Sequence, residues 1–186
     1  LAGIQVQGFS PLEMEDYRRQ SQTLESIVEY HNMWFVLLGR GEPERVATGV
    51  VSWNYFDLFG VRPVAGRTFR SGDDAHGADA VLVLSNAYWK SRFGGDPNVV
   101  GQVFEMNDRP HTVDGVLPPI PQFPDENDVY MPVSACPFRS SEGVRTNRNA
   151  RMVQAFGRLR PAATPDAALS DLAMVASNLQ QAYPQN

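Results

Sequence analysis

The sequence predicts an α+β fold, and three features carry that expectation. Helix-like and strand-like segments are interspersed without a regular βαβ alternation, which argues against a doubly wound parallel sheet. A capped, proline-led helix signal stands near each end, while the middle holds short apolar runs broken by glycine and proline. Hydrophobic residues make up 42% and charged residues 20% of the 186. That suffices for one ordinary domain, or two small subdomains, and is too apolar for a disordered chain.

The elements follow in order. Ser10 is placed to cap a helix, with Pro11 in its first turn and Glu13 three residues beyond the cap, so a helix is expected to about Ser21. Ile27 to Leu38 is rich in β-branched and aromatic residues and reads as a strand. Gly39 to Pro43 is a turn, and Glu44 to Val51 reads as the returning strand of a hairpin. Asn54 to Phe59 is a short helix stopped by Gly60. Ala80 to Leu84 is a buried strand, and Ser85 caps a helix that carries Trp89 and Phe93 four residues apart on one face. Gln102 to Met106 and His111 to Val116 are strands around the tight-turn pair Asn107-Asp108.

Pro118 to Pro137 holds six prolines in 20 residues, so it is expected to be looped or extended, with a short strand near Val129 to Met131. Ser140 to Asn149 is polar and reads as a mobile loop. Met152 to Leu159 is a further strand. Thr164, Pro165 and Asp166 open a last helix in which Leu169, Leu172, Val175 or Ala176, and Leu179 recur at helical spacing, predicting that these leucines cover a sheet.

Charge and cysteine content narrow the function. The net charge is −5, against the basic balance of most nucleic-acid binders, so no nucleic-acid partner is expected. Cys136 is the single cysteine, which leaves no internal disulfide and no multi-cysteine zinc site. The longest uninterrupted apolar run is Met33 to Leu38, far short of the roughly 20 residues a transmembrane helix needs. The opening Leu1-Ala2-Gly3 lacks Met and a signal-like segment, as a processed or excised stretch would.

Asp73 to Asp79, with His76 inside, looks like an oxygen-rich metal loop but lacks the spacing and terminal Glu of a calcium loop, so a solvated loop is expected. His111 reads as a surface or half-buried strand residue, and His31 has no acid–base partner nearby in sequence. No Gly-x-Ser-x-Gly elbow and no phosphate-cradling glycine loop occurs. Asp125, Glu126 and Asp128 offer paired carboxylates, but on a proline-rich loop without visible support. Arg139, Arg145, Arg148 and Arg151 face only Glu142 locally and read as a solvated loop, with an anion-facing patch as the sharper alternative. No residue is therefore assigned a catalytic, cofactor-binding or metal-ligating role, and no cofactor is expected.

A specific resemblance begins at Val51. Residues 51–69 read VSWNYFDLFGVRPVAGRTF, which resembles the V-S-x-x-Y-F-x-x-L-G-V-x-P-x-x-G-R-x-F signature of the MacB-like periplasmic core domain of ABC-transporter permeases. Val83-Leu84-Ser85, Trp89, Phe93 to Pro97 and Val100-Gly101 are similar to its next block. Asn107 to Val116 follows, with Asp108 where the family has Gly. Asp128 to Pro132 has Tyr130 for the family's Trp, and Gly157 to Pro161 precedes Ala162 in place of Gly. In flavour the chain is similar to permeases abundant in acidobacteria, which often lack a fused ATPase.

The resemblance implies two lobes. A porter-like α+β lobe would come from residues 1–51 and 147–186, and a β-rich, sabre-like lobe from 52–146. It implies a non-catalytic domain on the periplasmic side of the cytoplasmic membrane, coupling cytoplasmic ATP hydrolysis to export or periplasmic work by mechanical transmission. The implied partners are the membrane-embedded remainder of the permease, an ATP-binding subunit encoded elsewhere, and a periplasmic adaptor protein. The alternatives are a stand-alone secreted binding module with an apolar ligand groove and, more weakly, a hydrolase of cell-envelope material.

Overall fold

The computed structural model describes residues 8–39 and 41–185. In chain order the elements are α1 (Pro11–Gln20), β1 (Leu24–Leu38), β2 (Glu44–Val51), α2 (Tyr55–Leu58), β3 (Ala65–Gly66), β4 (Val81–Leu84), α3 (Asn86–Phe93), β5 (Val103–Met106), β6 (Arg109–Val116), β7 (Val129–Pro132), α4 (Glu142–Arg145), β8 (Gln154–Leu159) and α5 (Pro165–Ala182). The α+β class is thus the observed one. The chain forms two units: an end unit of Leu1–Glu29 with Ser141–Asn186, and a middle unit of Tyr30–Ser140.

These boundaries differ from the expected 51/52 and 146/147. The hairpin of residues 30–51 is built into the middle unit by its hydrogen bonds. β2 pairs in parallel with β7 from Thr48↔Val129 to Val51↔Pro132. Leu37 and Leu38 of β1 pair with Met106 and Glu105 of β5. β1 itself spans the division, with its first residues in the end unit.

In the middle unit the strand pairings close on themselves in the order β1, β2, β7, β4, β6, β5 and back to β1. Closure leaves those six strands without a free edge. Its interior is apolar, with Phe35, Val50, Leu82, Phe104, Val113 and Met131 all essentially inaccessible to water. β5 and β6 are joined by the expected two-residue turn, and both its residues take positive φ, 48° at Asn107 and 61° at Asp108. Asn107 gains a compensating contact, its Oδ1 accepting the Val36 N–H at 2.7 Å. Gly66 is required for a different reason as well. Its φ is +65°, and a Cβ there would lie 2.0 Å from the Asp114 carbonyl oxygen, where β3 crosses β6.

In the end unit, α1 opens with the anticipated capping box. Ser10 Oγ accepts the Glu13 N–H at 3.2 Å, and Glu13 accepts the Ser10 N–H at 2.8 Å. α1 packs beside α5 and α4. Met14, Ile27 and Val153 form its small core, with Phe9 and Tyr17 edge to face at 5.4 Å. Arg160 donates its N–H to the Thr23 carbonyl at 2.9 Å, and β8 lies next to β1.

Two expectations change here. The face that α5 buries is Ala168, Asp171, Val175 and Leu179, while Leu169 is 71% exposed. Val175 and Leu179 are buried and Leu172 half-buried, as the spacing predicts, and only Leu169 is misplaced, because a carboxylate, Asp171, takes part of the inward face. Asp171 Oδ2 accepts from the Ser21 hydroxyl at 2.8 Å, the Gln22 N–H at 2.9 Å, and the Thr23 N–H and hydroxyl at 3.0 and 2.7 Å. The polar stretch 140–149, read as a mobile loop, holds α4 and carries Arg148 to Asp16 at 2.8 Å.

Candidate functional site

The site grows from the segment after β2. Tyr55 donates its N–H to the Ser52 carbonyl at 3.1 Å, which starts the single turn of α2. That turn buries Tyr55 and Phe56 and leaves Phe59 39% exposed. Tyr55 is the centre of an aromatic cluster, with ring centroids 5.0 Å from Phe59, 5.4 Å from Phe56, 6.0 Å from Tyr130 and 6.1 Å from Tyr30.

A hydrogen-bond network fixes the proline-rich loop against this cluster. Tyr55 donates its hydroxyl to the Phe123 carbonyl. Tyr130 donates to Gln122 Oε1 at 2.6 Å, and Tyr30 to Asp125 Oδ2 at 2.9 Å. The buried Asn127 amide donates to both phenol oxygens, at 3.3 and 3.4 Å, and its backbone N–H goes to Gln122 Oε1 at 3.0 Å. Burial pushes the Tyr130 hydroxyl up to about 12, and burial raises Tyr30 and Tyr55 as well. All three phenols stay protonated at neutral pH and act as structural donors.

Between α2, the start of α3 and residues 117–123 lies a cleft of about 480 Å³. Its walls include Tyr55, Phe56, Phe59, Val61, Leu117, Pro118, Ile120, Phe123 and Tyr130. The polar contributions come from Ser85, Asn86, Gln122 and Glu126. Ser85 is committed to capping α3, its Oγ accepting the Tyr88 N–H at 3.2 Å, and Asn86 donates its amide to the Leu117 carbonyl at 3.1 Å. Such a hollow, apolar with a few placed polar groups, suits capture of a small molecule. It offers no nucleophile with an adjacent base.

The residues singled out in the sequence lie elsewhere or are otherwise engaged. His111, expected at the surface or half-buried, is 1% exposed in β6 because its side chain alternates inward with Val113. Its Nδ1 lies 2.9 Å from the Arg109 carbonyl oxygen, and burial lowers its pKa, so the ring is neutral at pH 7. His31 is buried in β1 and His76 is exposed in its loop.

Asp73 accepts from Arg67 at 2.6 Å and from the Arg70 N–H at 3.0 Å, and Asp74 from the Trp53 N–H at 3.2 Å. These acids hold their own loop in place. Asp125, Glu126 and Asp128 are not brought together as a working pair: they accept from the Tyr30 hydroxyl, the Gln122 amide (2.9 Å) and the Ala47 N–H (2.8 Å) respectively.

Of the four arginines read as a solvated loop, Arg145 is exposed, Arg139 is buried, and the other two make long-range contacts. Arg151 pairs with Glu13 at 2.8 Å, Arg148 with Asp16 at 2.8 Å, and Arg148 stacks 3.5 Å over the Tyr183 ring. Their carboxylate partners lie more than 100 positions back in sequence, where no local reading finds them. The cleft escaped attention because its wall is the proline-rich segment, whose composition signals only a loop.

No functionally curated protein matches this sequence. Among solved structures, the periplasmic region of MacB from Actinobacillus actinomycetemcomitans superimposes with a TM-score of 0.70 at 17% identity, over 95% of this chain and 77% of that one. The extracellular domain of the noncanonic ABC-type transporter YknZ from Gram-positive bacteria gives 0.67 at 15% identity, over 96% and 86%. A permease-protein domain from Porphyromonas gingivalis gives 0.66 at 20% identity, over 92% and 71%. At such identities these likenesses are of fold. Kinship rests on the family model for the MacB-like periplasmic core domain, which matches residues 2–175 and so takes in both units. The chain belongs to the MacB-like periplasmic core domain family.

Proposed function

We propose that this chain is the non-catalytic, extracytoplasmic domain of an ABC-type permease, and that it transmits motion from cytoplasmic ATP hydrolysis to export or other work on the periplasmic side of the cytoplasmic membrane. The observation that carries the reading is the family match across residues 2–175. The architecture supports it. The end unit is assembled from both ends of the chain, as a domain inserted between two membrane helices requires. Within that unit the last helix is joined to the first through directional contacts: Asp171 of α5 accepts from the turn after α1, and Arg148, in the segment before β8, pairs with Asp16 of α1 and stacks on Tyr183 at the end of α5. A pull on α5 is thereby felt at α1. No described helix is itself long and apolar enough to cross a membrane. In this reading the membrane-embedded remainder of the permease and an ATP-binding subunit complete the machine. A periplasmic adaptor is a further partner in this reading.

The apolar cleft favours a second reading, a secreted binding module that uses the groove directly. One experiment separates the two. In cells producing the full-length protein with Leu169→Cys, a membrane-impermeant maleimide should label the protein, and the labelled protein should sediment with membranes. Labelled protein released by osmotic shock would support the secreted module, and protection from the reagent would overturn both. The coupling itself is tested in vesicles that hold the whole permease and its ATPase. Asp171→Asn should reduce ATP-driven work by more than it reduces basal ATP hydrolysis, and equal losses would count against mechanical transmission.

A further inference from the structure

We propose that the aromatic cleft of the middle unit is a binding site for a hydrophobic cation, a small molecule with an apolar, multi-ring body and one positive charge. The chemistry of the walls points that way. Ring faces carry partial negative charge and attract cations, most strongly where water is displaced. Five aromatic residues line one hollow, Phe59 and Phe123 with the most exposed ring surface and Tyr55, Phe56 and Tyr130 packed behind them.

The charge balance agrees. Glu126 is the one ionised side chain among the lining residues, which include no Lys, Arg or His. The adjacent Asp125 adds to the negative potential around Tyr55 and Tyr130. The chain as a whole carries −5. An anion of the same size would meet ring faces and a carboxylate with no cation to receive it, because the tyrosine hydroxyls are already spent on Phe123 and Gln122.

Shape and rigidity also fit. About 480 Å³ lies in the range of sites for small organic ligands. Phe59, Ile120 and Phe123 leave 39%, 41% and 53% of their surface in water, apolar area that a bound ligand would cover. The loop that forms the far wall is held by the Tyr30–Asn127–Tyr130 network before any ligand arrives, so binding has little ordering cost. The inference goes beyond the permease reading and does not rest on it, since the cleft lies wholly within the middle unit.

The test uses two ions of nearly the same shape and opposite charge, tetraphenylphosphonium and tetraphenylborate, titrated calorimetrically into the 186-residue chain. The phosphonium should bind one to one in the micromolar range, and the borate about tenfold or more weaker. Phe59→Ala should weaken the phosphonium at least about fivefold, and Glu126→Gln should narrow the gap between the two ions. Both positions are solvent-exposed, and circular dichroism checks their folding. If Phe59→Ala does not fold, Ala87→Trp on the exposed start of α3 fills the cleft instead and should abolish binding. Equal or tighter borate binding, no phosphonium binding at about 1 mM, or phosphonium binding that neither Phe59→Ala nor Ala87→Trp alters would each overturn the proposal.

Discussion

The two units of this chain are held together by different physics. Among the described residues, every buried carboxylate belongs to the end unit: Glu13, Asp16, Glu29 and Asp171. Each is met by a cation or a set of donors, namely Arg151, Arg148 with Arg19, Arg18, and the Ser21–Thr23 turn. Its apolar core is small. The middle unit reverses the balance: six strands closed into a ring around an apolar interior, with its ion pairs, such as Arg67 with Asp73 and Arg92 with Glu44, made by part-exposed side chains, and a hydrogen-bond network of tyrosines and loop at the cleft. Charged contacts are directional and fail abruptly when one partner is lost, whereas apolar packing is graded and tolerant of shape. In the proposed role, an element that passes on a pull suits the first kind of construction, and a scaffold that keeps a cleft open suits the second.

The contrast breaks first if the middle unit does not depend on its interior. Phe104 has no exposure and stacks on Phe93 at a centroid distance of 5.3 Å. Phe104→Ala should cost about 4 kcal/mol, read from urea unfolding. A loss under about 2 kcal/mol would mean that the ring collapses around the gap and that its packing is looser than described.

The end unit is tested through Asp171. Its four hydrogen bonds lower its pKa to about 2, with the Thr23 hydroxyl contributing most. A depressed carboxylate stabilises the fold fully above its unfolded pKa, near 4, and that contribution fades as the pH falls through about 2. Asp171→Asn should therefore cost about 2 kcal/mol at pH 7, and the gap to the natural chain should close between about pH 4 and 2. Thermal melts across that range decide it. A gap that persists at pH 2 would mean that the aspartate acts through shape and not charge.

The same contrast explains what the sequence revealed. Strands and caps are legible because their causes are local. Ser10, Ser85 and Thr164 each cap a helix they immediately precede, and the short apolar run Ala80 to Leu84 reads as a buried strand, observed as Val81–Leu84. The family blocks lie mostly in the middle unit, where apolar spacing dominates. The end unit's polar joints were illegible, because Glu13 and Arg151 are 138 positions apart and Ser21 and Asp171 are 150 apart. Leu169 misled for the same reason: hydrophobic spacing assigned it inward, and the carboxylate three positions from Ala168 took that face. The cleft was half legible. Asn54 to Phe59 read only as a short helix, and only the fold shows that its Phe59 stays part-exposed beside residues 117–123.

The smallest expected effect sits in the Asn107-Asp108 turn, and it is the one that should raise stability. Both residues take the left-handed conformation that a two-residue hairpin of this kind demands. Asp108 is exposed, so Asp108→Gly should remove strain and stabilise by about 1 kcal/mol. Asn107 has the same backbone need, but its side chain accepts the Val36 N–H at 2.7 Å. Asn107→Gly gains the same relief and forfeits that bond, so the two terms, each about 1 kcal/mol, should nearly cancel. Paired urea titrations of the two variants separate backbone strain from side-chain bonding within one turn. If both glycines stabilise equally, the Val36 side-chain contact contributes nothing, and the joint between β1 and the β5–β6 hairpin rests on backbone pairing and apolar packing alone.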